Sequence, residues 1–380
     1  MRRLLFIFSF LSLLVVDGKA QEVETLTLED CLRIGIDNNL SLEGKRKEIQ
    51  KSKYGVSENR SKLLPQITVI AGYNNNFDPP VSVTDGSSYG VPYNITKTLQ
   101  HTANAGLEMQ MPLFNQTLYT SMSIAKVMEE ISRLSYGKAR EDIIMQISKM
   151  YYLGQVTAEQ IVLIKANITR LEELRDITQA FFDNGMSMEV DLKRVNINLE
   201  NLKVQYDNAQ AMMKQQLNML KYIMDYPAEK EFVLTPVNTD SITTVALTGL
   251  SENIYELQLS QSQVQLAEKQ KKIISNGYIP SLSLTGSWRY AAYTDKGYHW
   301  FHSGPSNHWF RSYGLGLTLR IPIFDGLDKT YKIKKAMIDI ENSKLAWENA
   351  RKSLQTQYLN AVNDLMNNQR NFKKQKDNYL

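Results

Sequence analysis

No proline occurs between Leu113 and Tyr226, and none follows Pro322. Proline breaks helix interiors, so these two gaps are where a long uninterrupted helix can form. The ten prolines, at 65, 79, 80, 92, 112, 227, 236, 280, 305 and 322, fall in zones where Gly, Asn and aromatic residues also gather. In the first gap Ile143, Ile147 and Tyr151 step by four, and Ile161, Ile164, Ile168 and Leu171 step by three and four. Leu192, Val195, Leu199, Leu202, Tyr206, Ala209, Met213 and Leu220 then form an a/d seam interrupted once, by Gln216. After the last proline, Ile333, Ile340, Trp347, Leu354 and Ala361 make one column spaced by seven. A helix from about Leu118 to Phe182 is roughly 100 Å long at 1.5 Å per residue, more than a compact domain needs. Gly137 and Gly154 weaken it without ending it. Asp183-Asn184-Gly185 is a turn signal, and Ser187 is expected to cap the next helix, with Glu189 and Asp191 at its positive end. These features predict an antiparallel coiled-coil hairpin with its tip at about 184–191.

The proline-bearing zones alternate with period two. Ala103, Ala105, Leu107, Met109 and Met111 face one way, and Thr102, Asn104, Gly106, Glu108 and Gln110 the other. Leu282, Leu284, Gly286, Trp288 and Tyr290 alternate with Ser281, Ser283, Thr285, Ser287 and Arg289. Tyr313, Leu315, Leu317, Leu319 and Ile321 alternate with Ser312, Gly314, Gly316, Thr318 and Arg320. Ile67, Val69, Ala71 and Tyr73 follow more loosely, because Ile70 sits on the polar side. Strands are expected at about 66–75, 100–112, 281–293 and 309–322, a length that lets a tilted strand cross a bilayer. Tyr73, Phe77, Tyr89 and Tyr93 cluster in one zone; Trp288, Tyr290, Tyr293, Tyr298, Trp300, Phe301, Trp309, Phe310 and Tyr313 cluster in the other. Such rings favour the headgroup level, and Tyr73, Trp288, Tyr290, Trp309 and Tyr313 are the expected membrane-interface set. Glu108, Arg289 and Arg320, on the polar faces, are expected to face a lumen, where they either tune its charge or serve as polar packing. Loops 76–99 and 295–307 are then expected outside the cell.

Residues 1–20 have the form of a secretory signal peptide: Arg2 and Arg3, an apolar run Leu4 to Val16, then Gly18 and Ala20 before Gln21. The run is too short to span a bilayer, and no stretch of 18 apolar residues follows, so entry into a membrane is expected through strands. Forty-four Lys and Arg against 40 Asp and Glu leave +4, with no concentrated basic excess for nucleic acid. Cys31, the one cysteine, excludes an intrachain disulfide and reads as a small apolar residue on a helix. His299, His302 and His308 sit in an aromatic loop beside a strand and read as surface residues rather than a metal cluster. No Gly-x-Ser-x-Gly, Gly-x-x-x-x-Gly-Lys or His-Glu-x-x-His occurs, so neither a catalytic site, a metal nor a cofactor is expected.

The chain also repeats. Leu64-Pro65-Gln66-Ile67-Thr68-Val69 matches Ile279-Pro280-Ser281-Leu282-Ser283-Leu284, and Met111-Pro112-Leu113-Phe114-Asn115 matches Ile321-Pro322-Ile323-Phe324-Asp325. Each half reads as helix, two strands, long helix. The division expected is a first repeat at 21–226, a linker at 227–250 with a short strand at Phe232-Val233-Leu234, and a second repeat at 251–380. With the opening Leu26-Thr27-Leu28-Glu29-Asp30-Cys31-Leu32, Asn38-Asn39, and Asn184-Gly185 followed by Asp191-Leu192, these motifs resemble the TolC family of outer-membrane channels.

That resemblance implies an α+β fold in which long coiled-coil helices form an α-barrel across the periplasm. Each chain would give four strands to a twelve-stranded barrel shared by a homotrimer in outer-membrane lipid. Physical reasoning agrees that four strands leave open edges and need other copies, without choosing their number. The resemblance further implies a passive exit duct of a tripartite efflux pump or type I secretion system. Its partners would be an inner-membrane pump and a periplasmic adaptor touching Asn184, Gly185, Ser187, Val190, Asp191 and Leu192. Counting the repeat onward from Asn184 places a second tip near residue 394, so the sequence is expected to be C-terminally short, with gate residues beyond Leu380. On that count the last helix is unpaired and exposes Trp347, Leu354, Tyr358 and Leu365. A pore-free periplasmic scaffold, an exported hydrolase and a truncated, non-functional channel paralogue are the alternatives.

Overall fold

The computed structural model describes residues 24–85, 87–97, 99–237, 253–294 and 308–379. The signal peptide, residues 238–250 of the expected linker, and the loop 295–307 with His299 and His302 lie outside the described residues. In chain order the elements are β1 (Glu24–Leu26), α1 (Leu28–Asn38), α2 (Leu40–Ser61), β2 (Gln66–Asn75), β3 (Val81–Asp85), β4 (Tyr93–Lys97), β5 (His101–Phe114), α3 (Gln116–Asp183), α4 (Glu189–Met224), β6 (Phe232–Leu234), α5 (Tyr255–Ser275), β7 (Ser281–Thr294), β8 (His308–Arg320) and α6 (Asp328–Tyr379). No described helix is long and apolar enough to cross a membrane.

The proline-free gaps hold the long helices. α3 runs 68 residues without a break, straight through Gly137 and Gly154. Both glycines mark close approaches: a Cβ at Gly137 would enter the Tyr255 ring, and one at Gly154 would lie 2.6 Å from Leu234 Cδ1. α6 adds 52 residues. The compact units do not follow the repeat. One comprises the described parts of Met1–Glu43 and Ala139–Val245, the other those of Gly44–Lys138 and Ala246–Leu380. The spatial division cuts α2 and α3, whereas the sequence suggested a boundary at 227–250.

The first unit is built on the α3–α4 pair. Ala139, Asp142, Ile143 and Gln146 of α3 line one cavity with Asn218, Lys221 and Tyr222 of α4, so the two helices lie antiparallel. Every expected a/d position from Leu192 to Leu220 is buried or half-buried. Gln216 does not break that seam; it is buried in it, and its Oε1 has no hydrogen-bond partner among the described residues. At the end of the pair away from its tip, β1 and β6 form a parallel ribbon with Leu26 opposite Leu234. Tyr151 Oη donates to the Leu26 carbonyl at 3.3 Å, and Gln155 Nε2 donates to the Thr235 carbonyl at 2.6 Å. Thr27 and Asp30 make a capping box on α1. Asn39 joins three elements: its Nδ2 donates to the Ile223 carbonyl at 2.8 Å, while its Oδ1 accepts the Leu42 N–H at 3.1 Å. Cys31, Leu42, Ile147 and Met224 are fully buried here.

In the second unit, all four long strands meet their helices at one end. α2 leads into β2, β5 into α3, α5 into β7 and β8 into α6. The matched repeat residues Asn115 and Asp325 both start helices. Asn115 Oδ1 accepts the Thr117 and Leu118 N–H groups, and Asp325 accepts from Lys329 N and Nζ. The Lys329 bond holds the Asp325 carboxyl below its ordinary range. α5 packs antiparallel on the first half of α6: Gln261 lies near Glu348, and Ser275 near Met337. Trp347, Leu354, Tyr358 and Leu365 are half-buried rather than exposed, and Trp347 lines a groove with Gln261, Val264 and Gln265 of α5. The expected loop 76–99 is not wholly irregular: it contains the β3–β4 hairpin, whose Val83–Ile95 and Asp85–Tyr93 pairs continue the β2–β5 turn past Pro79 and Pro80.

Burial pushes the Cys31 thiol up to about 11, leaving about one thiol in a few thousand ionised at pH 7.5. The folded chain should therefore resist maleimide at that pH and react fully in urea. Rapid labelling without denaturant would show the α1 core open. Ile147→Ala, at a fully buried site, should cost about 2–5 kcal/mol and lower the onset of Cys31 labelling to milder urea.

Candidate functional site

The four long strands form one antiparallel sheet in the order β2-β5-β7-β8. Its register decides which residues share a side. Ile67, Met109, Gly286 and Leu315 form one row across the sheet; Val69, Leu107, Trp288 and Tyr313 form the next on that face. Thr68, Glu108, Ser287 and Gly314 form a row on the opposite face. All four alternations found in the sequence thus fall into phase, with one face apolar and the other polar.

The packing is inverted relative to a water-soluble sheet. Leu315 is 80% exposed, Val69 73% and Leu317 67%, all on the apolar face. The polar face carries a groove of about 610 Å³ lined by Gln66, Thr68, Glu108, Thr285 and Arg289, so the sheet is concave on its polar side. Each large aliphatic left in water forgoes about 1.5–3 kcal/mol. Ile67, Val69, Leu315, Leu317 and Leu319 together forgo roughly 10 kcal/mol, comparable to the stability of a whole domain. A face of this kind requires a cover of lipid or protein. β2 and β8 have no partner on their outer edges among the described residues, leaving two rows of backbone donors and acceptors open.

Tyr73, Trp288, Tyr290, Trp309 and Tyr313 all lie on the apolar face, within three successive rows toward the ends away from the helices. Trp288 and Tyr290 pack edge to face at 5.5 Å. Tyr293 and Phe310 pair with each other at 6.2 Å on the polar side, not with this belt, because their position parity is opposite. Glu108, Arg289 and Arg320 all lie on the polar face. Arg289 and Glu108 form an ion pair between β7 and β5, with both side chains about two-fifths exposed; at that exposure it is worth about 0–1 kcal/mol. Arg320 is exposed opposite Ser281.

The hairpin tip is a Schellman closure. Met186 N–H donates to the Phe181 carbonyl at 2.8 Å, Gly185 N–H to that of Phe182 at 2.9 Å, and Gly185 has φ +73°. Asn184 Nδ2 donates to the Ala180 carbonyl at 2.7 Å. Ser187 does not cap α4; Met188 occupies that position and makes no side-chain cap bond. The start of α4 relies instead on Glu189 and Asp191 in its first turn. Asn184, Gly185, Val190 and Asp191 are exposed, Ser187 is half-buried, and Leu192 is buried as the first seam residue. A second column, not noticed in the sequence, runs up α4: Val190, Ile197, Val204 and Ala211, spaced by seven and all exposed. At helical periodicity it lies opposite the seam that faces α3. Its spacing was visible in the sequence.

The sequence profile of the outer membrane efflux protein family matches residues 34–224, half of the chain. The chain belongs to the outer membrane efflux protein family. It is 21% identical over 316 residues to outer membrane protein TolC of Vibrio cholerae, covering 82% of this chain and 66% of that protein. The chain thus spans just under two thirds of that relative's length. Its fold matches a crystal structure of a membrane protein from Pseudomonas aeruginosa with a TM-score of 0.72 at 16% identity, covering 92% of this chain and 78% of the other. It also matches CusC, whose crystal structures address transmembrane channel formation, with a TM-score of 0.71 at 16% identity, covering 95% and 82%. The α+β fold of this efflux family, long coiled-coil helices with antiparallel strands, is the fold of this chain.

Single cysteines along β8 in a Cys31→Ala background read the two faces directly. In membranes, a water-soluble maleimide should modify cysteines at positions 312, 314 and 316 and spare those at 313, 315 and 317. Equal labelling of both sets would contradict a lipid-covered apolar face.

Proposed function

We propose that this chain is the passive exit duct of a tripartite efflux pump, placed in the outer membrane with its helical part in the periplasm. The observation that carries this reading is the inverted sheet, with an open apolar face and a concave polar one. An enclosed polar face makes a wetted passage, and an apolar outer face suits hydrocarbon. The two open edges then close by pairing β8 of one copy with β2 of the next. Three copies give twelve strands, and room for a channel that eight would fill with side chains. Family membership and the fold likeness to known channels support that assembly. The second column of α4 supports it too, since a helix in a cylindrical wall needs a neighbour on each side.

In this assembly Glu108, Arg289 and Arg320 face the passage, and Tyr73, Trp288, Tyr290, Trp309 and Tyr313 sit at the membrane interface. The tip residues Asn184, Gly185, Ser187, Val190 and Asp191 meet a periplasmic adaptor, with Leu192 buried behind them, and the adaptor links the duct to an inner-membrane pump. Transport here needs no bond chemistry and no cofactor; the pump supplies the energy.

The native chain should appear as heat-resistant trimers in outer-membrane fractions, and recovery only as a soluble periplasmic monomer would sink the proposal. Glu108→Gln leaves Arg289 unpaired at the passage wall and should shift single-channel selectivity toward anions without changing trimer yield. An unchanged reversal potential would remove Glu108 from the passage. Asp191→Arg, at an exposed tip position outside the second column of α4, should weaken adaptor cross-linking about tenfold while trimers persist; unaffected cross-linking would move the contact away from the tip.

A further inference from the structure

We propose that Arg311, with the aromatic side chains around it, binds the phosphate of an anionic lipid headgroup at the outer surface of the membrane. The inference rests on the exit-duct reading and adds a ligand to its lipid-facing wall. The register places Arg311 opposite Tyr290, Tyr290 opposite Ala105 and Ala105 opposite Ala71, all on the apolar face. From Ile67 to Leu319, Arg311 is the one Lys, Arg, Asp or Glu on that face among the described residues. Its side chain is exposed, and its guanidinium carbon lies 6.0 Å from the Tyr313 ring centroid. Trp309 lies two residues before it and Tyr290 across from it, with Trp288 beside Tyr290.

A charge on a lipid-facing strand position is a functional candidate because it costs about 2–4 kcal/mol at mid-bilayer and about 0–1 near the interface. The strand geometry sets the depth of this one. Nine residues separate Arg311 from Arg320, at the helix-joined end. At about 3.3 Å per residue and a tilt near 40° they rise roughly 23 Å, close to the top of an apolar band about 25 Å tall. The helices attach at the other end, so this is the outer leaflet. Among the described residues the sheet carries no Asp or Glu on this face. β2, the strand that a neighbouring copy brings beside β8, has the sequence QITVIAGYNN and contains no carboxylate. A lipid phosphate lies at this level in an anionic leaflet, and the planar fork of arginine accepts it through two parallel hydrogen bonds. The surrounding rings hold the guanidinium by its face and pack on the acyl chains below.

The test uses the full-length protein purified as trimers from outer membranes. Thermal dissociation of the trimer is followed while diphosphoryl lipid A, the same lipid stripped of phosphate, phosphatidylcholine or inorganic phosphate is added. Diphosphoryl lipid A should raise the dissociation temperature, and the other three should not. In Arg311→Gln the half-saturating lipid A concentration should rise about tenfold or more, the loss of one charge-assisted contact, and Arg311→Lys should keep part of the effect. Equal stabilisation by the phosphate-free lipid, or an Arg311→Gln curve that overlies the native one, overturns the proposal. A response to inorganic phosphate alone makes it a site for the free ion and overturns the lipid assignment. The lipid comparison on the native chain stands even if Arg311→Gln fails to assemble. If the native chain is absent from outer membranes, the exit-duct reading falls and this site with it. If it is present but indifferent to lipid phosphate, only the site falls.

Discussion

Cross-strand register is the constraint on which the second unit depends. Side chains alternate with period two, so a slip of one residue between any two strands would mix the apolar and polar sets. Four strands from two distant halves of the chain are held in phase, with Leu107 beside Trp288 and Trp288 beside Tyr313. Glycine helps to fix this fit. A Cβ at Gly106 would lie 2.9 Å from Arg289 Cα, so the central strands approach too closely for any larger residue. The irregularity between Pro112 and Phe114 falls in the last paired residues of β5, just before the chain enters α3.

The repeat works as a joint between two kinds of structure. Pro65 and Pro280 stand just before strands, where no ladder donor is needed, and Pro322 stands just after one. Asn115 and Asp325 then collect the first free N–H groups of the helices that follow. One short motif, used twice, therefore ends a strand and starts a helix with its backbone groups satisfied. The first unit solves a different problem. Its long helices gain little from a compact core, so the β1–β6 ribbon, Asn39 and Tyr151 tie α1, α3 and α4 together through hydrogen bonds to backbone carbonyls.

Most of this was legible because period and breaker positions are local. Proline gaps placed α3 and α6, alternation placed the four long strands, and parity alone put Tyr73, Trp288, Tyr290, Trp309 and Tyr313 on one side. Errors arose where the decision was not local. Ser187 has the chemistry of a cap, but the Schellman closure at Gly185 uses up the chain, so α4 begins one residue later than such a cap requires. Tyr293 and Phe310 share the aromatic-rich zone of the belt in sequence, while the ladder assigns them to the other face. Gln216 reads as a break in the seam by its polarity, but its heptad position buries it. The cut through α2 and α3 had no signature, since a helix continues unchanged wherever its neighbours change.

The two columns on α4 bear on why so long a helix is stable at all. Helix propensity contributes only tenths of a kcal/mol per residue, so a rod of this length depends on side-chain packing along its whole course. The seam from Leu192 to Leu220 supplies that on one side through α3. A single copy leaves Val190, Ile197 and Val204 at 59%, 61% and 57% exposure on the other. Gln216 introduces into the inner seam a buried amide oxygen with no partner among the described residues, a cost of about 1–3 kcal/mol. A hairpin that carries such a cost within and an apolar stripe without is poorly suited to stand alone. It is better suited to a wall in which each helix is gripped from both sides, and the same need for neighbours recurs at the open edges of β2 and β8.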